Sequence, residues 1–292
     1  MEAKTKMTNK KILIIAVAFV CVCAALAVLL TQVILPQRKY NEAMTLIDSG
    51  NYEAAYILLG ELQYKDSAEK QESILPQYYH ALFVKANVGD TIFFGSYEQD
   101  NDSSNGKENI EWLVLTKKDD KLLVVSQYAL DCQPYNTEGR DATWETCTLR
   151  KWLNDEFFNE AFSAGEQTLI PTMKVTADKD PYYENNTKPG KPTEDKIFLL
   201  SVDQAERFFR GDEARKCVPT AYAIANGAYT NDDYTSGGVA TCWWWLRSPG
   251  RGGQTPASGV YYGGAVDYYR AGFGREREDD CVRPAMWIDL NA

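Results

Sequence analysis

From Ile12 to Leu30 the chain carries no charged side chain, and the apolar run resumes at Val33, Ile34 and Leu35 before Pro36. Such a segment has one stable form in hydrocarbon, a helix, because every backbone N–H and C=O must be satisfied within it. It is long enough to cross an apolar layer of about 30 Å. Lys4, Lys6, Lys10 and Lys11 precede it, so the positive-inside bias places the N-terminus in the cytoplasm and everything after Pro36 outside. Ala25-Leu26-Ala27 offers the alternative of a cleaved leader, but the apolar run continues beyond it, which favours an uncleaved anchor. The expected layout is a basic cytoplasmic tail at 1–11, a single transmembrane helix at 12–35 in the cell membrane, and an extracellular body.

That body is acidic. The net charge of the whole chain is −10 even with the basic tail included, which argues against nucleic acid as a partner, since phosphate binding needs concentrated Lys and Arg. Cys21 and Cys23 lie in the apolar segment, leaving Cys132, Cys147, Cys217, Cys242 and Cys281 outside it. An odd number means that at least one is free or pairs between molecules. Buried free thiols are the default expectation, with a Cys242–Cys281 bridge as the alternative.

After the anchor, residues 36–87 read as a helical stalk. Tyr40, Ala43, Leu46 and Ile47 recur at helical spacing, Ser49-Gly50-Asn51 breaks the run, and Tyr52, Ala55, Leu58, Leu59 and Leu62 restart it. This is the pattern of one tetratricopeptide-type hairpin, with a third helix from about Asp66. A single copy cannot bury its own apolar face, so a spacer is expected rather than a peptide-binding array.

A second domain is expected over residues 88–292. Gly89-Asp90 is a turn, 91–94 a short strand, and 110–116 and 121–126 form a hairpin around Lys117, Lys118, Asp119 and Asp120. Leu149, Trp152, Leu153 and Phe157 mark the buried side of an amphipathic helix. Residues 176–196 read as a long polar loop, 197–200 as a strand, and Ser201 with Gln204 as the capping box of a second helix ending near Phe209. Short, mostly antiparallel strands with two segregated helices make an α+β domain.

The C-terminal part carries the functional signal. Residues 243–250 and 282–288 read as buried strands. Between them, 254–280 is rich in glycine, tyrosine and arginine, with alternations at 258–262 and 265–269 joined by Gly263-Gly264, the signature of a two-residue primed turn. Tyr261, Tyr262, Tyr268, Tyr269 and Phe273, interspersed with Arg270, Arg275 and Arg277, suit a protein or glycan contact surface on a rigid framework. Of Trp243, Trp244 and Trp245, at least one is expected in the core, and a sugar-stacking platform is the sharper alternative. Arg247 and Arg283 are expected in buried ion pairs or as forks onto backbone carbonyls.

Catalytic chemistry finds little support. The only histidine, His80, lies in the stalk, so no Ser-His-Asp or Cys-His arrangement can form in the second domain. No His/Cys spacing suits zinc, and the pairs Asp232-Asp233 and Asp279-Asp280 read as solvated loop acids. No catalytic residue, metal or cofactor is expected.

Four motifs in order carry a family resemblance: Gly89-Asp90 with Gly95-Ser96-Tyr97-Glu98; Leu149-Arg150-Lys151-Trp152-Leu153-Asn154; Trp245-Leu246-Arg247-Ser248-Pro249-Gly250; and Val282-Arg283-Pro284-Ala285. Over about residues 88–290 the chain resembles the bacterial domain-of-unknown-function family 6273. That family looks similar to the C-type-lectin-like fold of formylglycine-generating enzymes and of the variable proteins of diversity-generating retroelements. The resemblance implies a fixed strand framework displaying exposed, variable residues, here Tyr261, Tyr262, Asp267, Tyr269, Arg270, Phe273 and Arg275, as the ligand-binding set. The chain lacks the close cysteine pair of the formylglycine-generating enzymes and the Glu-Pro-Asn and Trp-Asn-Asp motifs of calcium-dependent lectins. The implied function is a membrane-anchored recognition module; the alternative is an envelope protein that signals or organises through its stalk, with an unrecognised enzyme third.

Overall fold

The computed structural model describes residues 9–137, 142–181, 188–250, 257–267 and 280–291, in two compact units, Met1–Leu82 and Phe83–Ala292.

In the first unit, α1 (Asn9–Leu29) passes through a π-turn (Leu30–Ile34) into α2 (Leu35–Asp48) without interruption. Pro36 sits in the first turn of α2, where its missing N–H costs little. The span Leu13–Asp48 contains the one helix, among the described residues, long and apolar enough to cross a membrane. Gly50, at φ +76°, reverses the chain, and Asn51 caps α3 (Tyr52–Gly60) by accepting the Ala54 N–H. Ala43, Ala55, Leu59 and Ile74 form a small buried core, with Tyr40, Leu46, Ile47 and Tyr52 packed around it. Small residues at 43 and 55 let the two helices approach closely. The expected third helix is present as α4 (Ser67–Ser73), followed by α5 (Leu75–Phe83).

The second unit is α+β, built on two five-stranded sheets. The first has the order β1 (Thr91–Tyr97), β2 (Glu108–Lys118), β3 (Lys121–Ser126), β14 (Ala285–Asp289), β7 (Ile197–Phe198), all antiparallel. The second has the order β12 (Val266–Asp267), β11 (Ala257–Val260), β10 (Trp244–Pro249), β13 (Cys281–Val282), β4 (Asp131–Cys132); here β10 and β13 run parallel. Two ribbons, β5 (Met173–Val175) with β6 (Thr193–Asp195) and β8 (Thr230–Ser236) with β9 (Val239–Cys242), are the remaining strands among the described residues.

The expected amphipathic helix runs as α6 (Thr148–Trp152), a π-turn (Leu153–Phe157) and α7 (Phe158–Ala161), with Leu149, Leu153 and Phe157 buried. The expected capping box is formed: Ser201 accepts the Gln204 N–H while Gln204 reaches back to the Ser201 N–H, opening α9 (Val202–Phe208). Three further short helices, α8 (Ala164–Thr168), α10 (Asp212–Arg215) and α11 (Ala221–Ala225), correct the expectation of two. Each of these runs is too short to show a helical hydrophobic period.

Two more corrections have clear causes. The polar stretch at 176–196 is not all loop, because it contains β6, which pairs with β5 just before the stretch. The residues buried on β6 are polar, Thr193 and Asp195, and Asp195 is satisfied by Trp144 Nε1 (2.9 Å), Arg150 Nε (2.6 Å) and Thr193 Oγ1 (2.6 Å). The expected final strand at 282–288 is two strands in different sheets, with Arg283-Pro284 as the crossing between them. Pro284 offers only its carbonyl, which accepts Ser126 N–H at 2.9 Å.

Both arginines singled out in the sequence are buried. Arg247 pairs with Asp178 and forks onto the Leu199 carbonyl (2.9 Å). Arg283 donates through Nε to the Ser126 carbonyl (2.9 Å) and lies over the rings of Phe209 and Trp244. Of the three consecutive tryptophans, Trp244 and Trp245 are core, with their indole N–H groups on the carbonyls of Arg215 (3.1 Å) and Gln133 (3.0 Å).

Candidate binding surface

Strands β11 and β12 form the expected hairpin at the edge of the second sheet, pairing Gly259 with Asp267 and Val260 with Val266. Its turn differs from the expected one. The Gly264 N–H donates to the Tyr261 carbonyl (2.7 Å) and the Tyr261 N–H to the Ala265 carbonyl (2.8 Å), so Tyr262, Gly263 and Gly264 make a three-residue loop. Of the two glycines only Gly264 takes positive φ, at +88°, the left-handed position that closes a hairpin of this length.

Space also requires that glycine. A Cβ at Gly264 would fall inside the backbone of Asp212, and the Gly264 carbonyl accepts the Nε–H of buried Arg215 at 2.8 Å. Thr241 fastens the other side, its hydroxyl placed 2.9 Å from the Tyr234 carbonyl and 2.7 Å from the Tyr262 carbonyl. The hairpin tip is thus held by β9 and by α10.

On this support stand four half-buried aromatic side chains: Tyr234, Trp243, Tyr261 and Tyr262. Trp243 meets Tyr261 edge-on, centroids 4.4 Å apart at 90°, and Tyr262 at 5.8 Å and 88°. Tyr234 packs on Tyr262 at 4.7 Å and on Tyr261 at 5.7 Å. The Tyr261 and Tyr262 hydroxyls are hydrogen-bonded to one another. Burial and that bond push the Tyr261 phenol above its ordinary range. Edge-to-face packing orients the rings, and such pairs add about 0.5–1.5 kcal/mol beyond area burial. The result is a fixed, partly exposed aromatic patch carrying polar hydroxyls.

Of the seven residues expected to bind ligand, the structure brings Tyr261 and Tyr262 together in this patch. Asp267 lies on β12 opposite Gly259. Tyr269, Arg270, Phe273 and Arg275 lie outside the described residues. Sequence reasoning missed Tyr234 as a member of the patch, and Asp212 and Arg215 as its support. It had one usable signal, the β8–β9 ribbon leading directly into Trp243.

A separate cleft of about 320 Å³ opens beside α6, lined among others by Gln133, Thr137, Thr148, Lys151, Trp152 and Glu156. Among the described residues, Glu98, Asp100 and Glu108 are the group whose ligating atoms lie within 4.8 Å of one another. Their oxygens already accept from Gln99 N (2.7 Å), Asp102 N (2.8 Å and 3.0 Å) and Asn105 Nδ2 (2.7 Å), so they tie the 98–108 loop together. Buried Asp131 accepts from Tyr97 Oη (2.7 Å), Cys132 N (2.7 Å) and Asn226 Nδ2 (2.9 Å); burial raises its pKa against those bonds. A carboxylate with its lone pairs so engaged is a structural cross-link.

Fold and site together define an α+β protein with an apolar N-terminal helix able to anchor it to a membrane. Residues 119–290, more than half of the chain, match the model of a domain of unknown function, DUF6273, and the protein belongs to that family. No curated protein and no solved structure matches the chain.

Proposed function

We propose that the protein is a membrane-anchored recognition module, held by its N-terminal helix with the second unit facing outward, and that it binds a glycan or protein ligand through the aromatic patch. Of the observations, the one that carries this reading is the contrast within a single tripeptide. Trp244 and Trp245 are core with satisfied indoles, whereas Trp243 is kept half-exposed beside Tyr234, Tyr261 and Tyr262. Large aromatic rings held rigidly lose little entropy on binding. The expected residues Tyr269, Arg270, Phe273 and Arg275 follow the hairpin directly in sequence and extend this reading. The C-type-lectin-like fold, the kinship with retroelement variable proteins and a non-enzymatic role belong to the same proposal.

The test is binding of the full-length chain, in detergent micelles, to arrays of bacterial envelope glycans and surface proteins. Trp243→Ala with Tyr262→Ala should reduce binding at least tenfold while leaving the unfolding midpoint within a few degrees. Undiminished binding would remove the patch as the site.

A second reading, signalling or envelope organisation through a tetratricopeptide-like stalk, draws on the unbroken helical path from Asn9 to Asp48. A continuous helical path from the apolar segment into the stalk can transmit rotation or displacement. Two glycines inserted after Ile34 would uncouple such transmission yet leave ligand binding intact.

A further inference from the structure

The five cysteines outside the apolar helix sort themselves into one cap and one file. Cys147 is the N-cap of α6: its sulfur accepts the Arg150 N–H at 3.4 Å and stands 3.7 Å from the Trp144 carbonyl. That structural position accounts for the odd member. The other four come from β4, β9, β13 and the segment before α11, and all are buried free thiols in the structure.

Within the file the residues are arranged as pairs. Cys217 and Cys242 face each other across an antiparallel bridge, with the Cys242 N–H on the Cys217 carbonyl at 2.9 Å. Cys132 and Cys281 are antiparallel partners on β4 and β13. Cys242 is also in side-chain contact with Cys281, which joins the pairs end to end. Directly opposed antiparallel residues hold their Cα atoms about 4.5–5.5 Å apart, inside the range of about 4.4–6.8 Å that a disulfide spans. The four sulfurs are not the convergent group of ligating atoms found among the described residues, which is acidic. A file of pairs suits two bonds better than a tetrahedral four-thiolate cage.

We propose that Cys217–Cys242 and Cys132–Cys281 are two disulfide sites, closed as the second unit folds in an oxidising compartment. The compartment rests on the outward orientation proposed above; the pairing does not. Each bond forms by exchange with a disulfide donor, either a small molecule such as oxidised glutathione or a thiol–disulfide oxidoreductase. Two cysteine thiols give up two protons and two electrons to form one S–S bond, and the donor's S–S bond breaks to two thiols. Burial keeps donors from the finished file, so the exchange occurs during folding or local opening. Burial disfavours the Cys242 thiolate, but the Cys217 and Cys281 thiols and the charge of Arg283 outweigh it and hold Cys242 at about 5. Burial pushes Cys217 and Cys281 up, so they remain thiols. When the file opens, the lowered Cys242 thiol is the one best suited to begin the exchange.

The full-length chain in detergent, reduced and unfolded, is refolded in a mixture of reduced and oxidised glutathione. It is then quenched with N-ethylmaleimide under denaturing conditions and mapped by mass spectrometry without reduction. The expected map shows the two bonds, with Cys21, Cys23 and Cys147 alkylated. A Cys242–Cys281 bond, or alkylation of all five outer cysteines, would overturn the proposal. In Cys217→Ser, Cys242 should become alkylated while Cys132–Cys281 persists; migration of Cys242 onto Cys281 would count against it equally. A parallel map of chain taken from cells separates the two readings: correct bonds in vitro with free thiols in vivo would reject the outward orientation and leave the pairing standing.

Discussion

The β2–β3 and β11–β12 hairpins solve the same problem with opposite residues. The first is closed by Asp119 and Asp120, both at positive φ (49° and 55°), with their side chains in solvent. The second is closed through Gly264, whose α-carbon lies against the backbone of Asp212. Positive φ alone costs a non-glycine residue about 1–2 kcal/mol, which the long β2–β3 pairing can carry. A backbone pressed against another backbone cannot be relieved that way. Between these two turns, the glycine marks the one that is docked and the aspartates the one that is merely twisted.

Three changes bear on that contrast. Gly264→Ala should have the largest effect, a loss of about 2–4 kcal/mol from strain and overpacking together, read as a fall in the urea midpoint. A near-neutral result would mean the aromatic tip is as loosely held as the acidic one. Asp120→Gly should act the other way, gaining up to about 1 kcal/mol by relieving left-handed strain; a loss would show that the acidic side chains do more than fill the turn.

The smallest effect concerns the ion pair beside the β2–β3 turn, Lys121 with Asp289 at 3.0 Å. Burial raises the Asp289 pKa, but the Asn291 N–H and Lys121 outweigh it and hold the carboxyl below its ordinary 3.8. A depressed carboxylate stabilises the fold above its unfolded pKa and loses that contribution as pH falls through the folded value. The difference in unfolding free energy between the parent chain and Asp289→Asn should be a few tenths of a kcal/mol at neutral pH, begin to fade near pH 3.8 and vanish only once the pH has fallen through the lower folded value.

What could be read from the sequence was what neighbours in sequence decide. The Ser201 capping box, the Leu149, Leu153 and Phe157 stripe and the existence of both hairpins follow from local periodicity and turn residues, though the loop length at Gly263-Gly264 does not. Strand β6 was hidden because its buried residues are polar, and their partners, Trp144 and Arg150, lie about fifty residues earlier. For the binding surface, Tyr261 and Tyr262 announced themselves by composition. Tyr234 did not, since its place depends on how the β8–β9 ribbon lies against β10. The cysteine pairs were equally out of reach, because no local spacing brings Cys132 to Cys281.

The crossing at Arg283-Pro284 has a consequence for the order of assembly. Strand β14 stands between β3 and β7, and β13 between β10 and β4. Until residues 281–289 have been translated, each sheet exists only as separate fragments with unpaired edges. Among the described strands, none before Cys281 joins these fragments, and this short segment completes both layers at once. A ribosome stalled before Cys281 would leave open strand edges in two places, each a template for pairing with another chain.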